Sequence, residues 1–269
     1  TAPVEPIQKW LEGDRSALNT TREVTAPGAA APVAVVPAAK AASYTDVKLT
    51  NIRKVIAKSM HASLSAMAQL TLNSSFDATE LLAFRAKVKE SGEALGMANI
   101  TLNDMVLYAA AKTLTQHKEC NAHFLDEYIR VFDDVNLGIA VDTDRGLMVP
   151  TLERAQSLSL NELSIKAKSL IKETQSGSIS PDKLTGGTFT VTNLGSLGVE
   201  SFTPVINPPQ VCILGVDCIT YKLREDGKSY PAMGLSLTFD HRALDGAPAA
   251  RFLRDLCANL ERFGMLLAR

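Results

Sequence analysis

The sequence predicts an α/β fold, a two-layer sandwich of helices on a mixed β-sheet. Three observations carry that prediction. Apolar residues recur at helical spacing in segments that open on capping signals. Between them lie short β-branched or continuously apolar runs bounded by turn residues. Helices and strands also mix without a regular βαβ period, which points to a mixed rather than an all-parallel sheet.

Taken in chain order, residues 1–25 are too few to fold alone and read as the remnant of a preceding region. Residues 26–42 read APGAAAPVAVVPAAKAA, with nine Ala and three Pro. Pro favours extended backbone and Ala offers little to bury, so 26–45 is assigned as a semi-stiff linker. The folded domain is assigned to 46–269. Asp77 with Glu80 forms a capping-box signal, followed by Leu81, Phe84 and Val88 at helical spacing. A second helix is expected from Thr101–Asp104 to about His117. A third opens at Ser159 with Glu162 in the box position; Leu160, Leu163, Ala167, Leu170 and Ile171 share a face, and Gly177 ends it.

Strands are expected at 136–141 and 147–149, split by the turn-rich DTDRG. Others are expected at Thr188–Thr192, which alternates and is β-branched, at Val211–Ile219 and at Met233–Phe239. A last helix, from about Ala247 to Phe263, puts Ala250, Leu253, Leu256, Cys257 and Leu260 on one face.

A 269-residue chain buries enough surface to need no covalent staples. Its net charge of -1 gives no broad electrostatic reason to expect nucleic acid or membrane as a partner. No apolar run reaches membrane-spanning length, and the first residues lack a signal pattern. The four cysteines form no CxxC pair and no zinc-ligand spacing, so no metal site is expected. Cys212 and Cys218 lie in an apolar run and read as small buried hydrophobes. No GxGxxG or GxxxxGK[ST] loop appears, which counts against nucleotide-phosphate chemistry.

The sharpest chemical feature is LTFDHRALDG at 237–246. An apolar strand ends, His241 follows, and a helix begins after Asp245 and Gly246. An imidazole at a strand end is rigidly held and has the unperturbed pKa suited to proton transfer near neutrality. Taken alone, such a histidine is more often structural, and Asp245 is more often a helix cap. A second feature is GGTFTVTNLGSLG at 186–198, where hydroxyl and amide donors crowd a strand end and a Gly-rich loop. It could supply a donor to a developing oxyanion, or be a strand with ordinary surface threonines. The third, GIAVDTDRGLMVP at 138–150, reads by itself only as a surface turn.

Together with LTNIRKVIAKSM at 49–60, LTGGTFTVTNLGSLG at 184–198 and INPPQVCILGV at 206–216, these segments resemble the catalytic domain of the dihydrolipoyl acyltransferase (E2) family of 2-oxo acid dehydrogenase complexes. The resemblance runs from about residue 46 to 269 and is strongest to pyruvate-type members. It implies a chloramphenicol acetyltransferase-like fold. It implies exchange of an acyl group, most naturally acetyl, between a dihydrolipoyl thiol and coenzyme A. In that chemistry His241 matches the family's general base and Thr192 its oxyanion donor. Asp245 matches the aspartate of HxxxDG, in an orienting or ion-pairing role, with Arg53 as a candidate partner. Arg85, Thr101, Asp142 and Asn193 correspond to residues near coenzyme A, although Thr101 also reads as a helix cap and Arg85 as a solvated charge.

The resemblance further implies trimers with the active site between subunits, assembly into a larger cage through the Met265-Leu266-Leu267 tail, and a cytoplasmic or mitochondrial-matrix location. Lipoyl domains, a decarboxylase and a dihydrolipoyl dehydrogenase would be the partners. No lipoyl domain or subunit-binding motif is recognised in these residues, so the lipoyl group is expected from elsewhere. Two other readings are a catalytically silent scaffold and a small-molecule O-acetyltransferase.

Overall fold

The computed structural model describes residues 44–268, so residues 1–25 and nearly all of the expected 26–45 linker lie outside the described residues. One six-stranded sheet organises the domain, in the order β1-β8-β7-β6-β4-β5. Its strands are β1 (Gln69–Asp77), β4 (Leu137–Ile139), β5 (Thr151–Leu152), β6 (Phe189–Asn193), β7 (Cys212–Leu223) and β8 (Ser229–Asp240). β4, β6 and β7 run parallel; β8 is antiparallel to both β7 and β1, and β5 is antiparallel to β4. The sheet is therefore mixed, as the irregular element order predicts. A separate ribbon pairs β2 (Ala122–Leu125) with β3 (Tyr128–Val131).

Period-two alternation decides which face carries the core. Phe189, Val191, Cys212, Leu214, Val216, Leu235, Leu237 and Phe239 are buried in a single apolar cluster. On that face lie α2 (Thr79–Ser91), α3 (Leu102–Leu114), α4 (Leu160–Ser176) and α5 (Gly246–Glu261), with the short α6 (Phe263–Leu267). α3 is central: Met105, Val106, Leu107, Ala109, Ala110, Ala111 and Leu114 are all buried, so it is apolar almost all round. The intervening residues Thr190, Thr192, Ile213 and Gly215 point to the other face, where α1 (Asn51–Ala66) and the 202–207 segment lie.

The helix starts follow their local chemistry. Thr101 and Asp104 form a reciprocal capping box on α3, as do Ser159 and Glu162 on α4. Gly177 ends α4 at φ 73°, a conformation that favours glycine, with its N–H on the last-turn carbonyls. At α2 the expected box does not form. Ala78 is the cap residue, and Asp77 instead accepts from the backbone N–H and hydroxyl of Thr79 and pairs with Arg224. On α5 the inward positions are Ala249, Phe252, Leu253, Leu256, Cys257 and Leu260; Ala250 is exposed, because the stripe is set by Phe252 facing the sheet. Cys212 is buried as expected, but Cys218 is only half-buried, since it sits in the irregular stretch between Val216 and Ile219.

Sequence patterning does not announce α1. Thr50 caps it by accepting from Arg53 N–H at 3.2 Å, yet Ser63 is its one buried residue. That hydroxyl donates to the Ile206 carbonyl at 2.6 Å. Val55 and Leu64 remain exposed on it, 68% and 58%.

Phe252 joins the layers. Its ring meets Phe189 of β6 edge-on at 5.7 Å and His117 at 5.7 Å, and it is fully buried. Phe252→Ala should therefore cost about 3–5 kcal/mol, read as a lower urea midpoint at unchanged slope; a loss under 1 kcal/mol would mean that the layers do not depend on this contact.

Candidate active site

Four histidines are present, and their surroundings separate them. His117 is buried and pairs with Asp255 at 3.0 Å. His123 faces the Gly187 carbonyl at 2.9 Å and Phe132 edge-on, and burial pushes its pKa down. His61 lies on the surface of α1, within 3.4 Å of the Ser65 hydroxyl one turn on. His241 differs: it ends β8 with its side chain 45% exposed and no hydrogen bond to its ring among the described residues.

Its backbone, by contrast, is fixed. Asp240 is fully buried, and its carboxylate accepts from Arg242 Nε at 3.0 Å, Arg242 Nη2 at 2.7 Å, Arg242 N–H at 3.1 Å and Ala68 N–H at 3.2 Å. His241 N–H donates in turn to the Ala68 carbonyl at 2.8 Å. The Arg242 guanidinium lies 4.3 Å from the centre of the Phe124 ring on β2, a cation–π contact. Asp240 and Arg242 are not among the residues that the motif points to as chemistry. The signal was present as a charge on each side of the histidine.

Asp245 does not play a tight role within this chain. It occupies the cap position of α5 without a side-chain cap bond, because its carboxylate turns outward. Asp245 Oδ1 stands 3.8 Å from His241 Nδ1, beyond hydrogen-bond range, and the carboxylate is 86% exposed. Arg53 is not its partner: that guanidinium lies beside Gly146, in the 142–147 turn, and no ion pair joins it to Asp245 among the described residues.

Thr192 lies on β6, half-buried, and its hydroxyl makes no hydrogen bond among the described residues. It lines a cavity of about 630 Å³ between α1 and the sheet, with Met60, Thr190, Leu194 and Phe202. Thr192 and His241 are far apart. Thr192 is in register with Gly215, and Gly215 with Ser236, five residues before His241. Strand rise and spacing then put the two about 16 Å apart along the sheet and about 10 Å across it.

Arg85, Thr101 and Asn193 come together in a second cleft, of about 450 Å³. The Asn193 amide donates to Asn103 Oδ1 at 2.9 Å, and Thr101 serves as the α3 cap. Asp142 is exposed at the 142–147 turn and does not line this cleft.

Asp217 was not singled out by the sequence. It is buried on β7, where Oδ2 accepts from the Ser236 hydroxyl at 2.9 Å and Oδ1 has no partner among the described residues. Burial raises its pKa, against the Ser236 hydrogen bond, which lowers it.

A mixed-sheet α/β domain that presents a pinned, accessible imidazole at one strand end and a hydroxyl over a cavity elsewhere on the sheet matches one family of acyltransferase domains. The chain belongs to the 2-oxoacid dehydrogenases acyltransferase (catalytic domain) family, whose model it matches over residues 41–268. It is 38% identical over 226 residues to the dihydrolipoyllysine-residue acetyltransferase of the acetoin cleaving system of Bacillus subtilis, covering 82% of this chain and 56% of that one. Among solved structures it resembles the dihydrolipoamide acetyltransferase (E2p) of Azotobacter vinelandii at TM-score 0.80 and 32% identity, covering 88% of this chain and all of that one. The cubic core of a pyruvate dehydrogenase multienzyme complex gives the same TM-score, 0.80, the same identity, 32%, and the same coverage, 88% of this chain and 100% of that chain. The chain spans about half the length of the curated relatives it matches. No helix among the described residues is long and apolar enough to cross a membrane.

A carboxyl whose folded pKa is raised stabilises the fold only while protonated, and that contribution is lost as pH rises through the folded pKa. Asp217→Asn, uncharged throughout, should match the parent in acid and become the more stable of the two as pH rises toward 7. Melting curves across that range decide it, and an offset independent of pH would remove the buried charge as the cause.

Proposed function

We propose that this domain transfers an acyl group, acetyl by preference, between coenzyme A and a dihydrolipoyl thiol, with its active site shared between two copies of the chain. The observation that carries the reading is His241: accessible at the ring and immobilised at the backbone. A thiol of pKa about 8.5 is only slightly ionised at neutral pH. The neutral imidazole takes the proton of the dihydrolipoyl thiol as its sulfur forms a bond to the thioester carbonyl carbon. The carbonyl oxygen becomes an oxyanion, and the Thr192 hydroxyl donates to it. The bond from carbon to the coenzyme A sulfur then breaks, and the proton passes from His241 to the departing thiolate. The Azotobacter relative was studied for a serine, a histidine and an asparagine in its catalytic mechanism, the last two being four positions apart, like His241 and Asp245. Asp245 would bring a charge where that enzyme has an amide.

The separation of His241 from Thr192 supports the shared site. A donor and a base roughly 19 Å apart on one sheet cannot serve one carbon, so the base of one copy must meet the hydroxyl of another. A trimer supplies such pairs, and the cage form is supported by the cubic core of the solved relative and the exposed Met265 near the C-terminus. Arg85, Thr101 and Asn193 are assigned to coenzyme A. Asp142, outside their cleft, would reach the cofactor only from the 142–147 turn. The lipoyl group, the decarboxylase and the dihydrolipoyl dehydrogenase complete the proposed assembly, in the cytoplasm or the mitochondrial matrix.

His241→Ala should lower turnover of acetyl-CoA with dihydrolipoamide about 10²–10⁴-fold, and Thr192→Ala about 10²–10³-fold, with assembly intact. Normal activity per assembled His241→Ala particle would end the general-base assignment and favour the silent scaffold. Dissociating, mixing and reassembling the two inactive variants should restore about a quarter of parental activity, since each mixed trimer holds one intact pair. Mixed particles as inactive as either parent variant would show that both groups act within one chain or not at all.

A further inference from the structure

We infer that Phe202 sets the upper size of the acyl group, holding the site to short unbranched chains; this rests on the assignment of Thr192 as the oxyanion donor. The inference starts at a missing side chain. Gly215 is the register partner of Thr192 on β7, directly beside it on the same face of the sheet. A Cβ at Gly215 would stand 2.7 Å from Phe202 Cζ and 2.8 Å from Cε1, closer than carbons approach. Glycine is therefore required because the phenyl ring occupies that place. The ring lies over bare backbone one strand spacing, about 4.8 Å, from Thr192.

Phe202 is held there from behind. Its N–H donates to the Ser236 hydroxyl at 3.4 Å, and that hydroxyl donates to Asp217 at 2.9 Å. Ser236 and Asp217 are both buried, so the support is shielded from water. Gly234, on β8, is also tight: a Cβ there would lie 2.9 Å from Asp217 Cβ and 3.2 Å from the Glu200 carbonyl, so the segment bearing Phe202 presses close to the sheet. Phe202, Thr192, Thr190 and Leu194 line the same cavity.

An acyl oxygen held by Thr192 places the carbon chain within a few ångströms of that ring. The cavity as a whole, about 630 Å³, is far larger than an acetyl group, because it must also admit a thiol arm. Size selection therefore belongs to the wall nearest the hydroxyl. A methyl passes beside the ring, and a branched or longer chain meets it. In the transfer itself the acyl group moves unchanged from one sulfur to the other, so the ring affects which thioester reaches the transition state and plays no part in the bond changes.

The test is a chain-length profile of the assembled protein with dihydrolipoamide and acetyl-, propionyl-, butyryl- and isobutyryl-CoA. The parent should prefer acetyl and propionyl. Phe202→Ala should raise the ratio of kcat/KM for isobutyryl to that for acetyl by about 10–200-fold, the effect of room for one or two methylenes. Phe202→Leu, nearer in volume and safer for folding, should move the ratio the same way by less. An unchanged profile in either folded variant overturns the inference, as does a parent that takes isobutyryl as readily as acetyl. A parent that acetylates dihydrolipoamide normally but shows either of those results leaves the acyl-transfer reading standing. A parent inactive with every thioester removes both.

Discussion

The geometry around His241 depends on one buried carboxylate. Asp240 is fully removed from solvent at the end of β8, where an unpaired charge would be prohibitively costly. It is retained because four donors converge on it, two of them from the Arg242 guanidinium. That convergence ties the strand end to the start of β1 through Ala68, and to the β2 ribbon through the Arg242–Phe124 stack. His241 sits between the two charged partners and inherits their immobility without using its own ring. A base meeting a thiol, the role proposed for His241, would gain from this arrangement, because the backbone is fixed before substrate arrives.

The same sheet that fixes His241 separates it from Thr192. Residues 215 and 236 pair directly, and β8 then runs on to its end before the histidine appears. Neither side chain can bridge that distance, and no loop closes it among the described residues. A sheet is stiff along its strands, so the separation is built into the register. Under the proposed reaction, one chain would thus present two half-sites, each needing a neighbour. On that proposal, the strand register is the physical reason activity would depend on assembly.

How much of this was readable in the sequence varies by residue. The capping boxes at Thr101 and Ser159, the alternation at 189–193 and the stripe of α5 are local signals, and they yielded elements close to those observed. The strand ends at 240 and the motif around His241 were legible for the same reason. Other features are not local. α1 has one buried residue and so no burial stripe to read, and the β2–β3 ribbon is too short to stand out. The Asp77 box failed because Thr79 takes one carboxylate oxygen and Glu261, 184 residues away, accepts the Asp77 N–H that Glu80 would have accepted. Asp217 and Ser236 meet only through strand pairing, and the crowding of Phe202 on Gly215 is visible only as a contact. The spatial division of the site was equally hidden, since 49 residues of sequence say nothing of distance across a sheet.

α1 links these points. It walls the Thr192 cavity with Val55, Ile56 and Met60, yet leaves Val55 mostly in solvent and buries little for itself. A helix gains most of its stability in proteins from a buried apolar face, and this one lacks such a face within its own chain. Burying exposed side chains such as Ile52, Val55 and Leu64 against another copy would stabilise by about 25 cal/mol per Å² of apolar surface removed from water. The helix that walls the Thr192 cavity thus leaves Ile52, Val55 and Leu64 in solvent, and polar ties such as the Ser63 hydroxyl to the Ile206 carbonyl fix its place.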